Sequence, residues 1–174
     1  MATDLIVAGP FELKCKKQAT GSAKQVTSDN VKEFLASNEF AAVSEKQGCY
    51  IFGLRASRGF MVWYVGKATK SMKQECLTDH KLKHYNQVLF DGDKGTPVLF
   101  FVAPDGKKKK VPKGEIDDME TFLIQSALFK NPNLSNVQKT KNLPYWSIKG
   151  VVRGGKGRPT DTEAKFKKMM GLDK

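Results

Sequence analysis

No stretch of this 174-residue chain approaches the ~20 consecutive apolar residues that a membrane-spanning helix needs. A membrane partner is therefore not expected. Cysteine is scarce: Cys15, Cys49 and Cys76 are odd in number, widely spaced and form no C-x-x-C pair. That pattern excludes a disulfide scaffold and a cysteine-rich zinc module, and suits a reduced, cytoplasmic protein. Histidine is limited to His80 and His84. They stand four apart on an expected helix, but no Glu follows His80 and no third ligand is evident, so zinc is not expected. Met1–Pro10 lacks the basic-then-apolar pattern of a secretory signal. Arginine is missing altogether from residue 59 to residue 152.

Lysine fills that gap. The formal net charge is +12, and residues 139–174 alone carry ten basic groups against three acidic ones. A surplus of this kind fits a polyanion, because Lys and Arg that contact phosphates release condensed counterions. The bland alternative is a solubilising tail. Eleven Phe and two Trp supply apolar area for one ordinary core.

Periodicity divides the chain. Phe11, Leu13 and Cys15 alternate weakly, as for an edge strand, and Thr20–Ala23 reads as a loop. Ser28 or Asp29 is placed to cap a short helix through Val31, Phe34 and Leu35, with a second helical stretch near Phe40–Val43. Cys49–Phe52 and Met61–Val65 read as a β-hairpin across a turn at 55–60. One long helix is expected over about 71–90, then a buried strand from Thr96 to Val102. Lys107–Lys110 is placed to flank a hairpin back through Val111. Asp117 would cap the next helix, with Glu120 in its first turn and Asn131-Pro132-Asn133 at its end. Trp146 and Ile148 are expected to dock on the core. A basic, Gly-rich linker at 153–158 would lead to a terminal helix opened by a Thr160/Glu163 capping box.

The expected fold is α+β: a small, mainly antiparallel sheet in the order β-hairpin, helix, strand, helix, flanked by helices. Residues 1–47 read as an N-terminal extension, 48–138 as the central domain and 139–174 as a basic C-terminal tail.

Gly48-Cys49-Tyr50, followed after thirteen residues by Tyr64-Val65-Gly66, resembles the paired signature of the GIY-YIG nucleases on their opening hairpin. Glu120-Thr121-Phe122-Leu123-Ile124 is similar to the family's E-x-x-L-I helix, and Asn136 resembles the Asn that follows it. The resemblance covers about residues 48–137 and implies phosphodiester cleavage in nucleic acid, DNA first, with one Mg2+ or Mn2+. It assigns the positioning or deprotonation of water to Tyr50, phosphate contact to Tyr64, the single carboxylate ligand to Glu120, and a tie between helix and site to Asn136. The family's Arg on the helix after the second strand has no counterpart here. Among Lys67, Lys70, Lys73 and Lys81, Lys67 is the favoured substitute, with His80 as a further phosphate contact or proton donor. Lys70, Lys73, Lys81, Arg55 and Arg58 are candidate nucleic-acid contacts. A lysine lacks the planar fork of arginine. The missing Arg therefore keeps open a catalytically weakened binding module, and a purely structural role stands behind both.

Overall fold

A computed structural model describes residues 3–17, 24–57, 59–91, 95–136, 147–151 and 158–173. The expectations for Thr20–Ala23, Arg58 and Trp146, and nearly all of the 153–158 linker, fall outside the described residues.

Five strands share one sheet. They are β1 (Asp4–Glu12), β4 (Gly48–Ala56), β5 (Gly59–Ala68), β6 (Thr96–Pro104) and the two-residue β7 (Ser147–Ile148), in the spatial order β5-β4-β6-β1-β7. The first four are antiparallel neighbours, and β7 runs parallel to β1. A separate two-stranded ribbon joins β2 (Lys16–Lys17) to β3 (Lys24–Gln25).

Strand alternation sorts the side chains into two cores. Cys49, Ile51, Val65, Phe100 and Val102 face α5 (Lys113–Lys130) and α6 (Asp161–Met170). Tyr50, Phe52, Tyr64, Leu99 and Phe101 face the other layer, which comprises α1 (Ser28–Leu35), α2 (Asn38–Ser44), α3 (Met72–Glu75) and α4 (Asp79–Phe90). The fold is thus α+β, with a largely antiparallel sheet between two helical layers and the expected order of hairpin, helix, strand, helix.

A β-bulge sets which face Tyr64 joins. Phe52 pairs with Tyr64 and Gly53 with Val62, so Trp63 is the extra residue of β5. In a regular strand Val62 and Tyr64, two residues apart, would share a face; the bulge prevents that. With it, Val62 enters the α5 core and Tyr64 the α4 core.

Several boundaries differ from the sequence reading. The single helix over 71–90 is two helices, broken at Cys76–Leu77, both of which are buried. The Tyr85 hydroxyl donates to the Cys76 carbonyl at 2.9 Å, so the break satisfies a polar group instead of exposing it. Helix α5 starts at Lys113 behind Pro112, not at Asp117, because Pro112 (φ −52°) already holds a helix-compatible φ. Glu120 therefore stands two turns inside the helix and not in its first turn. Lys107–Lys110 forms no strand and is exposed.

The termini are layers of the same unit, not appendages. β1 pairs with β6 from Leu5–Pro104 to Glu12–Val98. Helix α6, opened by the Thr160/Glu163 capping box, buries Phe166, Met169 and Met170 against the sheet.

Candidate functional site

The centre of the site is the β4–β5 pair. Tyr50 lies directly opposite Gly66 and diagonal to Tyr64. Its ring occupies the space above Gly66: a Cβ there would fall 2.5 Å from the Tyr50 hydroxyl oxygen and 2.6 Å from Cε2. Only glycine at this position lets the phenol lie flat across the strand. The neighbour that Gly66 admits is thus the Tyr50 ring. Gly48, with φ +144°, sits where a side chain would collide with the Val102 carbonyl.

The Tyr50 and Tyr64 rings are stacked, with centroids 6.3 Å apart and 25° between planes. The Tyr50 hydroxyl is fully buried and has no hydrogen-bond partner among the described residues. Burial, reinforced by Tyr64, Cys76, Glu75 and Glu120, holds this phenol far above its ordinary pKa, so it is neutral at every physiological pH.

Helix α4 brings a cationic group onto the second ring. Lys81 donates to the Tyr64 hydroxyl, and its Nζ lies 4.9 Å from the ring centroid. His84 stacks on Tyr64 at 5.6 Å, and His80 meets His84 edge-on at 4.8 Å. Burial, then His80 and Lys81, lowers the His84 pKa below 6.5.

Across β5, on the α5 face, a second cluster forms. Lys67 Nζ stands 2.5 Å from Asp117 Oδ1 and 3.3 Å from Glu120 Oε2. The hydrogen bond to Asp117 raises the ammonium pKa, against a smaller opposing effect of burial. Glu120 is the more enclosed of the two acids, its side chain 12% exposed against 39% for Asp117. Two turns inside α5, it is too far along for the helix-dipole explanation that a first-turn acid would invite.

The segment after α5 closes the open edge of β5. Asn131 Nδ2 donates to the Val62 carbonyl at 2.7 Å, and the Ser135 N–H donates to the Trp63 carbonyl at 3.1 Å. Asn136 accepts from the Val65 N–H at 2.9 Å and donates to the Val65 carbonyl at 2.7 Å. It thereby fixes the residue between Tyr64 and Gly66. Nearby Asn133 is exposed, and its N–H donates to Asn131 Oδ1 at 3.0 Å.

No protein-family model, curated protein or solved structure matches this chain.

Its chemistry is therefore read from geometry. The phenols and the acid form two clusters on opposite faces of the edge strand, and Glu120 is close enough to Tyr50 to contribute to its raised pKa. Lys81, not Lys67, is the lysine on the phenols, because Lys67 points the other way and is engaged by two carboxylates. His80 is linked to the phenols through His84. Arg55 lies at the far end of the hairpin, five residues or ~16 Å of strand from Tyr50, paired with Glu12. Lys70 and Lys73 are exposed beyond the end of β5. Among the described residues no three His, Cys, Asp or Glu side chains gather as a metal site.

Two residues escaped the candidate set. His84 was legible as the i+4 partner of His80. Asp117 was legible as the i−3 neighbour of Glu120 once both lie inside one helix.

Proposed function

We propose that this chain is a GIY-YIG-type, divalent-metal-dependent endonuclease acting on DNA. The observation that carries the reading is the seating of Tyr50 over Gly66, diagonal to Tyr64, with the Lys81 ammonium on the Tyr64 hydroxyl. The spacing that suggested the hairpin signature thereby acquires a physical reason: the second glycine exists to admit the first tyrosine.

In this reading Lys81 and the Tyr64 hydroxyl hold a phosphate oxygen, with His84 backing the ring. Tyr50 is kept neutral by burial, so its hydroxyl would serve as a hydrogen-bond partner and not as a standing phenolate. Glu120, with Asp117 beside it, fits a divalent ion: hard carboxylate oxygens suit Mg2+, which keeps several waters, and the two acids already accommodate one positive charge, that of Lys67. The ion would stabilise charge on the leaving oxygen. Asn136 keeps β5 in register beneath the site.

A second reading, a nucleic-acid-binding module without cleavage, is favoured by the Lys67 clamp on Glu120 together with the absence of Arg from residue 59 to 152. Nicking of supercoiled plasmid in Mg2+ or Mn2+ separates the two. The first predicts relaxation by the wild type that drops at least ~10²-fold in Glu120→Ala, the scale of a lost electrostatic stabiliser. Cleavage by Glu120→Ala at the wild-type rate removes the site. Salt-sensitive DNA binding by the wild type without cleavage in either metal selects the second reading.

A further inference from the structure

The β6–α5 connection carries four consecutive lysines, Lys107–Lys110, all exposed. Four adjacent ammonium groups repel one another, and an unconstrained loop would let them spread. This loop is instead pinned at both ends. At its start, Lys46 Nζ donates to the Pro104 carbonyl at 2.8 Å and the Gly106 carbonyl at 2.9 Å. At its end, the Gln47 N–H donates to the Lys109 carbonyl at 2.8 Å, and Gln47 Oε1 accepts from the Val111 N–H at 3.0 Å. Val111 is buried beneath it.

Gln47 also joins this loop to the hairpin. Its Nε2 donates to the Thr69 carbonyl at 2.5 Å, immediately beyond β5. One side chain thus fixes the lysine loop to the segment carrying Lys70 and Lys73, both exposed. Two of the acids nearby are already engaged: Asp105 takes the Gly106 N–H at 2.7 Å with Lys149 4.0 Å away, and Glu75 takes the Lys70 N–H at 2.5 Å. The result is a basic rim at the end of the sheet where β4 starts and β5 and β6 finish, adjoining the Lys67–Asp117–Glu120 cluster.

We infer that this rim is a docking surface for the phosphate backbone of duplex DNA, with Gln47 as the positioning residue that presents the lysines. The ordering of a highly charged loop, normally a cost of binding, is here supplied by the fold. An inert solubilising run needs no such anchoring. The inference rests on the nucleic-acid reading above but not on cleavage.

The test is fluorescence anisotropy with a labelled DNA duplex, titrated between about 50 and 200 mM salt. Each phosphate contact contributes about 0.9 to the slope of log K against log salt concentration. The variant K107A/K108A/K109A/K110A, checked for an unchanged melting temperature, is expected to lower that slope by about 2 to 4. Gln47→Ala keeps every lysine, so it is expected to keep the slope while weakening binding about 5- to 20-fold. A quadruple variant with wild-type affinity and slope overturns the rim while leaving nucleic-acid binding intact. Failure of the wild type to bind DNA at all overturns both the rim and the reading beneath it. Loss of phosphatidylserine-vesicle binding in the quadruple variant, with DNA binding intact, assigns the surface to lipid and also overturns the proposal.

Discussion

Tyr50 shows what a single residue costs and supports. A buried hydroxyl without a partner loses its hydration and gains nothing in return, a penalty of about 1–3 kcal/mol. A purely structural residue at this position would be phenylalanine, like Phe52 two positions on. Tyr50→Phe is therefore expected to leave the urea midpoint unchanged or to raise it, while abolishing plasmid nicking. A variant destabilised by more than about 1 kcal/mol would mean the hydroxyl has a stabilising partner in solution, and the functional explanation for it would lose its force. The sequence made Tyr50, Gly66 and Asn136 legible through spacing. It did not reveal which way Tyr64 points. Simple alternation from Val62 sends Tyr64 into the α5 core, and only the extra residue Trp63 turns it to the phenol face. A bulge leaves no mark in hydrophobic pattern, so that part of the site had to come from the pairing itself.

At the scale of elements, α4 carries more of the site than the sequence suggested. The one long helix expected over about 71–90 merges two short helices, which meet at Cys76–Leu77. Once the helix begins at Asp79, His80, Lys81 and His84 fall together on the side facing Tyr64. The consequence can be read from proton linkage. His84 has a folded-state pKa lowered from 6.5 by burial, His80 and Lys81. As pH falls, the unfolded chain takes up the proton first, so the folded state loses stability below the unfolded pKa until its own, lower pKa is passed. The imidazole thus contributes stability above about pH 6.5 that is lost on acidification. Urea melts between about pH 7 and 5 are expected to show stability falling with pH, with a shallower slope in His84→Gln. Equal slopes in the two proteins would mean that His84 is solvated like a free imidazole.

At the scale of the whole molecule, the division into extension, domain and tail gives way to three layers. Composition drove the earlier boundaries, since charge and glycine mark residues 139–174 as different. Yet the short apolar pattern of α6 outweighs its basic surroundings. Phe166 sits edge-on to Phe100 at 5.5 Å, and Phe166, Met169 and Met170 are at most 1% exposed. Gly53 on β4 keeps the space open: a Cβ there would lie 3.1 Å from the Met169 sulfur. Three such side chains contribute about 1.5–3 kcal/mol each on burial, some 5–9 kcal/mol together, against a total stability of about 5–15 kcal/mol for an ordinary domain. Helix α6 also covers the strands that carry the site, because it packs on β5 and β1 and against α5. A chain ending at Gly150 is therefore expected to lose cooperative thermal unfolding and to bind a hydrophobic dye, instead of behaving as an intact domain without its tail. A truncated chain that still melts cooperatively, within a few degrees of the full one, would return α6 to the status of an appendage and leave the α5 face to be covered by something else.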